Sequence, residues 1–529
     1  MKYPCPRCGR PMAKAARTAE GKPRWMCRYG SSRAGRVYCY STTRPELGER
    51  AHNGDDKGPP PVFERKLRKG TKRYLITCAQ NATPVHTKFW MALQVAAKHM
   101  RAEILVIPIR YKNATSEWTE SQRNAEWWDK DLTPLLWNTR LKLNENLLIM
   151  GDLKTVPTAS SPLTGFEAMT AGESAVIGHT KLQCRVIPSP SHKFPKILTT
   201  TGSCTVPNYT DSKAGKLGEF HHMLGAVIVE IESSKTFHIR HISAGRDGSF
   251  SDLDTRYSSE GVSAAPRAKA VVMGDTHVDF ICPQVVKATF GPGGLLATVD
   301  PEILVWHDLL DSYAVNPHHF GNPFAAFAKR QTGRDNVARE VARAIDFVRA
   351  HTGKRKSYVV SSNHDDFLRR WIHGTDWRTD PTNAAFYLET ASAMLAGTSL
   401  GSSGTSSPEP FGYWISRRGD PRIRALSSND KLTVAGIELS MHGHAGPNGS
   451  RGSIKNLRRV GLRSIIGHSH TPGIDEGCTQ VGTSTPLRLE YNAGPSSWLN
   501  AHCILHHDGK RQLIFIINGR WRLQERRSR

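Results

Sequence analysis

With 529 residues, 38% hydrophobic and 8% aromatic, the chain has the composition of a globular protein and is longer than one ordinary core needs, so two or three domains are expected. No window approaches about 18 consecutive apolar residues and the first residues lack the apolar centre of a signal peptide, which argues against a membrane helix and for a soluble, non-exported, cytoplasmic chain. An excess of 72 Lys+Arg over 47 Asp+Glu gives a net charge of +25, which favours a polyanion as partner, nucleic acid well before a membrane surface.

Residues 1–45 carry eleven Lys/Arg against the single acid Glu20. They hold four of the ten cysteines: "CPRCG" supplies Cys5 and Cys8, and Cys27 and Cys39 follow. A Cys-x-x-Cys turn lets two thiolates reach one tetrahedral Zn²⁺, and such an ion can fold a segment too small to hold a core. Eleven residues separate the second pair where two are usual. The run "CPRCGRPMAKAARTAEGKPRWMC" resembles the zinc ribbons at the head of transposases and other DNA-binding proteins. That implies one structural Zn²⁺ and a grip on phosphates without base reading, or else a zinc-stapled cap with no ligand. A proline-rich linker is expected over 46–70, and a second basic run, "ERKLRKGTKR", spans 64–73. The other cysteines, Cys78, Cys184, Cys204, Cys282, Cys478 and Cys503, are scattered singly, the pattern of buried free thiols in a reducing compartment.

Residues 71–260 alternate strand-like and helix-like runs, "RYLITCAQ", "TKFWMALQVAAKHM" and "AEILVIPIRY", and predict an α/β domain whose role, DNA binding or assembly, no motif specifies. "HHMLGAVIVEIE" and "KTFHIRHIS" predict paired strands. The polar stretch 243–268 then separates this region from the next. Beyond it the apolar spacing of Val337, Val341, Ala344, Ile345 and Val348 predicts a helix over 334–351, and the Gly/Ser-rich 397–410 predicts a mobile surface loop.

Five apolar runs after residue 268 end in chemically capable groups. "KAVVMGDTHVD" delivers Asp275 and His277, which share a face as i and i+2. "EILVWHDLLD" delivers Asp308, "SYVVSSNHDD" delivers Asn363 and His364, "IELSMHGHAG" offers His442 or His444, and "SIIGHSHTP" ends in His468 and His470. One such station is weak evidence; five in succession suit oxygen and imidazole ligation of divalent ions at strand carboxyl ends. A near copy, "AVIGHTKLQ", lacks both a second imidazole and preceding stations, so His179 reads as an ordinary strand-end histidine.

This order, D-x-H, D, N-H-[DE], H, G-H-x-H, resembles the calcineurin-like metallophosphoesterases over residues 265–520. The resemblance implies a four-layer α/β/β/α sandwich, preceded here by the α/β domain and the small ribbon. It implies two divalent ions, Mn²⁺ first and Mg²⁺ or another second. Asp275, His277, Asp308 and His470 would hold one, and Asp308, Asn363, His442 and His468 the other. His364 would protonate the leaving oxygen and Asp365 would orient it. His307 stands where the family has glycine, and it, His318, His319 and His444 are candidates for substrate contact or ligand support. With the basic charge, the expected reaction is two-metal hydrolysis of DNA, duplex before single strand. The arrangement looks like phage-encoded nucleases that degrade host DNA, which would place it in the host bacterial cytoplasm as a candidate homo-oligomer. The alternatives are a phosphatase or cyclic-nucleotide phosphodiesterase, and a non-catalytic DNA-binding takeover or regulatory protein.

Overall fold

The structure, a computed structural model, describes residues 11–17, 23–32, 35–42, 62–111, 127–400, 409–489 and 492–524. The chain divides into two units, Met1–Val62 and Phe63–Arg529. In the first, Ala13–Arg17, Pro23–Ser32 and Gly35–Thr42 form an antiparallel three-stranded meander. Cys27 stands opposite Tyr40, beside Cys39 on the same hairpin. Cys5 and Cys8 lie outside the described residues.

In the second unit a six-stranded sheet runs in the order Ile423–Leu426, Lys356–Val360, Ile303–Trp306, Ala270–Val272, Ala501–Leu505, Arg511–Phe515. The first four strands are parallel and the last two antiparallel. Because alternate strand residues face opposite ways, Val271, Leu304, Trp306 and Val359 pack under a helical layer, while Ala270, Val272, Val305 and Val360 enter a core shared with the other sheets. The helix Val337–Thr352 belongs to that layer. The Asn336 side chain caps it by accepting from Arg339 N, Gly353 ends it at φ 58°, and Val337, Val341, Ala344, Ile345 and Val348 are buried. Burying each full-sized side chain stabilises the layer by about 1.5–3 kcal/mol.

The second sheet has ten strands and crosses the boundary drawn from the sequence between 71–260 and 265–520. Thr433–Val434, Ile437–Glu438, Ser464–Ile466, Cys478–Gln480 and Gly473–Asp475 lead into Gln183–Ile187, with Ile474 opposite Cys184. It continues through Lys196–Thr200, Ser174–Ile177, Leu147–Met150 and Arg140–Asn144. Strands of two or three residues do not hold a sheet alone, and pairing with the earlier region gives them one. On the outer face near Ile466, Leu457 packs from the four-residue helix Ile454–Leu457. A four-stranded sheet, Phe237–Ser243, Gly225–Ile231, Arg73–Gln80 and Glu103–Ile109, adds its inner face to the same core, and the helix Thr87–Met100 covers its other side.

Two sequence expectations change here. The polar stretch 243–268 is a three-stranded antiparallel sheet, Phe250–Asp252, Thr255–Ser258 and Gly261–Ala264. Two aromatics anchor it: Phe250 stands opposite Tyr257 in register and packs edge-on against Phe89 with ring centroids 6.0 Å apart. The Gly/Ser-rich stretch 397–410, expected as a loop, is helical at both ends, since the helix Ala384–Leu400 runs into it and Pro410–Arg417 is helical again; residues 401–408 lie outside the described residues.

Candidate metal centre

Three adjacent parallel strands end on one side, so the residues after Val272, Trp306 and Val360 meet above the sheet. Those residues are Asp275 and His277, then His307 and Asp308, then Asn363 and His364. The second sheet brings His442 after Ile437–Glu438 and His468 and His470 after Ser464–Ile466, and Gly467 N donates to His442 O at 2.7 Å to tie these two turns together. A Cβ on Gly467 would stand 2.2 Å from Asp275 Oδ1, so only glycine lets the second sheet come this close. Four of the gathered residues have left-handed backbones: His277 (φ 46°), Asp308 (φ 41°), His468 (φ 77°) and His470 (φ 57°). Strain of this kind costs of order 1–3 kcal/mol per residue and collects at functional sites.

Ligand-capable atoms of Asp275, His277, Asp308 and His470 all lie within 4.8 Å of one another, and so do those of Asp308, His442 and His468. Asp308 is common to both groups. Its Oδ2 is 3.1 Å from His442 Nε2 and 3.7 Å from His277 Nε2. Asn363 Oδ1 completes the second group, 3.1 Å from His442 Nε2 and 2.9 Å from His468 Nδ1. In the first, His277 Nε2 and His470 Nε2 face each other at 3.0 Å, and His470 Nε2 is 3.3 Å from Asp275 Oδ2. Asp308 Oδ1 is buried and accepts no hydrogen bond from the described residues. Facing imidazole nitrogens and an orphaned carboxylate oxygen, enclosed together, are the arrangement a cation would satisfy, and these buried His/Asp groups could hold a metal ion.

Two buried carboxylates at one point do not both ionise cheaply. Burial, and then the nearby Asp308 charge, push Asp275 up to about 7. Burial opposes ionisation of Asp308 as well, but the imidazoles of His442, His364 and His277 together outweigh it and hold Asp308 well below the ordinary carboxylate range. Burial alone would depress His277; the carboxylates of Asp311, 2.8 Å from Nδ1, and of Asp308 and Asp275 together overcome it and raise the imidazole to about 9. That bond leaves Nε2 aimed at the centre, the usual second partner of a metal-binding histidine.

Asp311 was not singled out in the sequence, although "HDLLD" places it three residues after Asp308. Asp365 does not orient His364. Its carboxylate accepts from Ser362 N, and its own N–H donates to Ser362 Oγ, closing a capping box on the helix Asn363–Gly374. His364 is held instead through Nδ1, which donates to the Asp311 carbonyl at 2.7 Å. His307 is buried, with Nδ1 3.3 Å from His442 Nδ1; burial and then His442 push it down to about 3, so it supports His442 as a neutral ring. His444 is half-buried, its ring 5.4 Å from His442 and 6.1 Å from His468. His318 touches Phe367, and His319 packs edge-on against Tyr313. His179, the strand-end histidine of the near copy, has both ring nitrogens engaged, by Val156 O and Lys181 N.

No helix among the described residues is long and apolar enough to cross a membrane. No family model and no solved structure matches the chain. A curated relative, "Protein A1" of Escherichia phage T5, is 30% identical over 470 residues, covering 85% of this chain and 83% of the relative.

Proposed function

The chain belongs to the family of protein A1 of Escherichia phage T5, and on that premise we propose that it is a phage-encoded, metal-dependent nuclease that hydrolyses phosphodiester bonds of DNA in the host bacterial cytoplasm. In this reading residues 265–520 are a metallophosphoesterase domain of calcineurin-like type. The observation that carries it is the convergence of two ligand groups, buried but for the half-buried His468, on the shared carboxylate of Asp308. Oxygen and imidazole donors without thiolates suit Mn²⁺, with Mg²⁺ second. A pair of such ions, when bound, supplies an acidified water and stabilises charge on the attacked phosphate. Selection of DNA rests on the net charge of +25 and on the basic N-terminal segment, whose cysteines would take a structural Zn²⁺.

The chain's own residues then divide the work. Asp308 serves both groups, Asp311 fixes the ring of His277, and Asn363 stands between His442 and His468. His364, with Nδ1 engaged by the Asp311 carbonyl, keeps Nε2 for the proton that the leaving oxygen needs. His364→Ala is expected to slow hydrolysis roughly 10²- to 10⁴-fold, the usual contribution of a general acid, with both metals retained. Metal analysis beside the rate checks this, and a variant that loses metal would make His364 a ligand. Gly467→Ala should displace the Asp275 carboxylate and lower metal affinity by roughly 10- to 100-fold or more, as measured by Mn²⁺ titration calorimetry.

The deciding experiment incubates the full chain with linear and closed circular DNA in Mn²⁺, Mg²⁺ or chelator. Cleavage that requires metal is expected. Persistence of both DNAs with every metal would sink the nuclease reading. Turnover of a small chromogenic diester alone would then point to a phosphatase or cyclic-nucleotide phosphodiesterase, and DNA binding without any turnover to a regulatory protein.

A further inference from the structure

The stretch from His318 to Gln331 presents three large aromatic side chains to solvent: Phe320 is 90% exposed, Phe324 84% and Phe327 65%. Phe324 and Phe327 lie one turn apart on the helix Pro323–Gln331, whose Pro323 and N-cap Asn322 fix its start; Lys329 is its buried residue and donates to Ala314 O. Apolar rings held this far out of the core on an ordered element mark a binding surface.

The position of this stretch narrows what it binds. His364 packs on Phe367 with ring centroids 5.0 Å apart, and Phe367 on His318 at 5.7 Å. Phe320 therefore follows a turn that lies two ring contacts from the candidate proton donor. Two exposed arginines lie on the same elements, Arg330 on the helix that carries Phe324 and Phe327 and Arg370 one turn after Phe367, and neither forms an ion pair among the described residues. Rings and unpaired cations carried on the same elements match the chemistry of an unstacked strand, because each base offers a face to a ring and each phosphate a charge to an arginine.

We infer that Phe320 and Phe324 stack on bases of the DNA strand whose phosphate occupies the metal centre, so that the enzyme takes DNA with bases out of the helix, at ends, nicks or melted segments. This rests on the nuclease reading for the identity of the phosphate, and the surface makes no ring contact with the ligand groups themselves.

The test compares the wild-type chain with Phe320→Ala/Phe324→Ala and with Phe320→Trp. Each is titrated in chelator against a short single strand carrying 2-aminopurine, and against an intact closed circle; sedimentation and thermal melting are run alongside. Both phenylalanines are exposed, so the double variant should melt like the wild type. Its affinity for the single strand should fall roughly 10-fold or more, the base fluorescence quench should disappear, and Phe320→Trp should keep both. Unchanged affinity and quench in the double variant would overturn the proposal. A smaller particle with unchanged DNA binding would overturn it too, and would make the patch a contact between copies of this chain. A wild type that hydrolyses a small diester but binds no DNA would end both this inference and the choice of DNA as substrate, leaving the diesterase chemistry standing. A wild type that shows the quench and the Phe-dependent affinity but hydrolyses nothing would sink the proposed chemistry and leave the stacking surface in place.

Discussion

Asp275→Asn should abolish most hydrolysis and, at pH 8 in chelator, melt at a higher temperature than the wild type. The two effects share one cause. The wild-type carboxylate is buried beside Asp308 and pushed up to about 7, so carrying its charge in the folded state costs free energy. The sign follows from linkage: a folded value above the ordinary carboxylate value means the group favours the folded state at low pH, and this is lost as pH rises from about 4 through 7. Asn keeps the acceptor that takes the His468 N–H and removes the charge, so the variant lacks this pH slope. With Mn²⁺ added the order should reverse, because the wild type gains the free energy of ion binding and the variant does not. Outer partners of metal ligands commonly contribute 10- to 100-fold, so loss of a ligand should cost more than about 100-fold in rate. Thermal melts across pH 5 to 8 with and without Mn²⁺ check the claim. A variant that melts below the wild type in chelator at pH 8 would show that the carboxylate stabilises a hydrogen-bonded network and is not a charge waiting for a cation.

The largest effect on stability is expected away from the site. Arg240 is buried between two acids: Nε and Nη2 donate to Asp252 at 2.6 and 2.8 Å, and Nη1 donates to Glu230 at 2.9 Å. Glu230 also takes Arg73 at 3.0 Å and the Leu523 N–H at 3.0 Å, so one carboxylate joins strands of the four-stranded sheet to the C-terminal chain. Arg240→Met would strand buried charge and should cost about 3–5 kcal/mol in denaturant unfolding. The pH dependence has a definite sign. Burial opposes its ionisation, but Arg240 holds Glu230 down at about 2, so its contribution is present above the unfolded value near 4.5 and is lost as pH falls toward 2. The gap between wild type and variant should therefore narrow in acid. A gap that stays constant from pH 7 to 3 would assign the loss to packing alone.

Much of the candidate site can be read along the chain, because each donor follows an apolar run that forms a strand, and side chains just past parallel strand ends share one side of a sheet. Asp275, Asp308, Asn363 and His468 are of this kind. Asp311 is not, since its importance lies in facing His277 from another strand end. Asp365, which the family resemblance makes the orienting group of His364, takes a different part. Next to His364 in sequence, it is turned about 100° around the helix, where the Ser362-x-x-Asp365 spacing makes it a cap. That spacing was legible, and a local rule outweighed the expected role.

The properties legible along the chain are local ones: the apolar runs that become buried strands and helices, the donors at their ends, and a charge that suits a polyanion, while the polar strands of 250–264 carried no such mark. Tertiary structure alone decided that Gln183–Ile187 pairs with Gly473–Asp475 across almost 300 residues and makes one sheet of two apparent domains. It also brings the His442 ring, the one that directly follows its strand, to 3.1 Å from Asp308, a distance that no local pattern encodes. The physical reason is that strand pairing and ligand convergence are satisfied by partners far away in the chain, and a hydrogen-bonding edge or an imidazole carries no local mark of which partner it will meet.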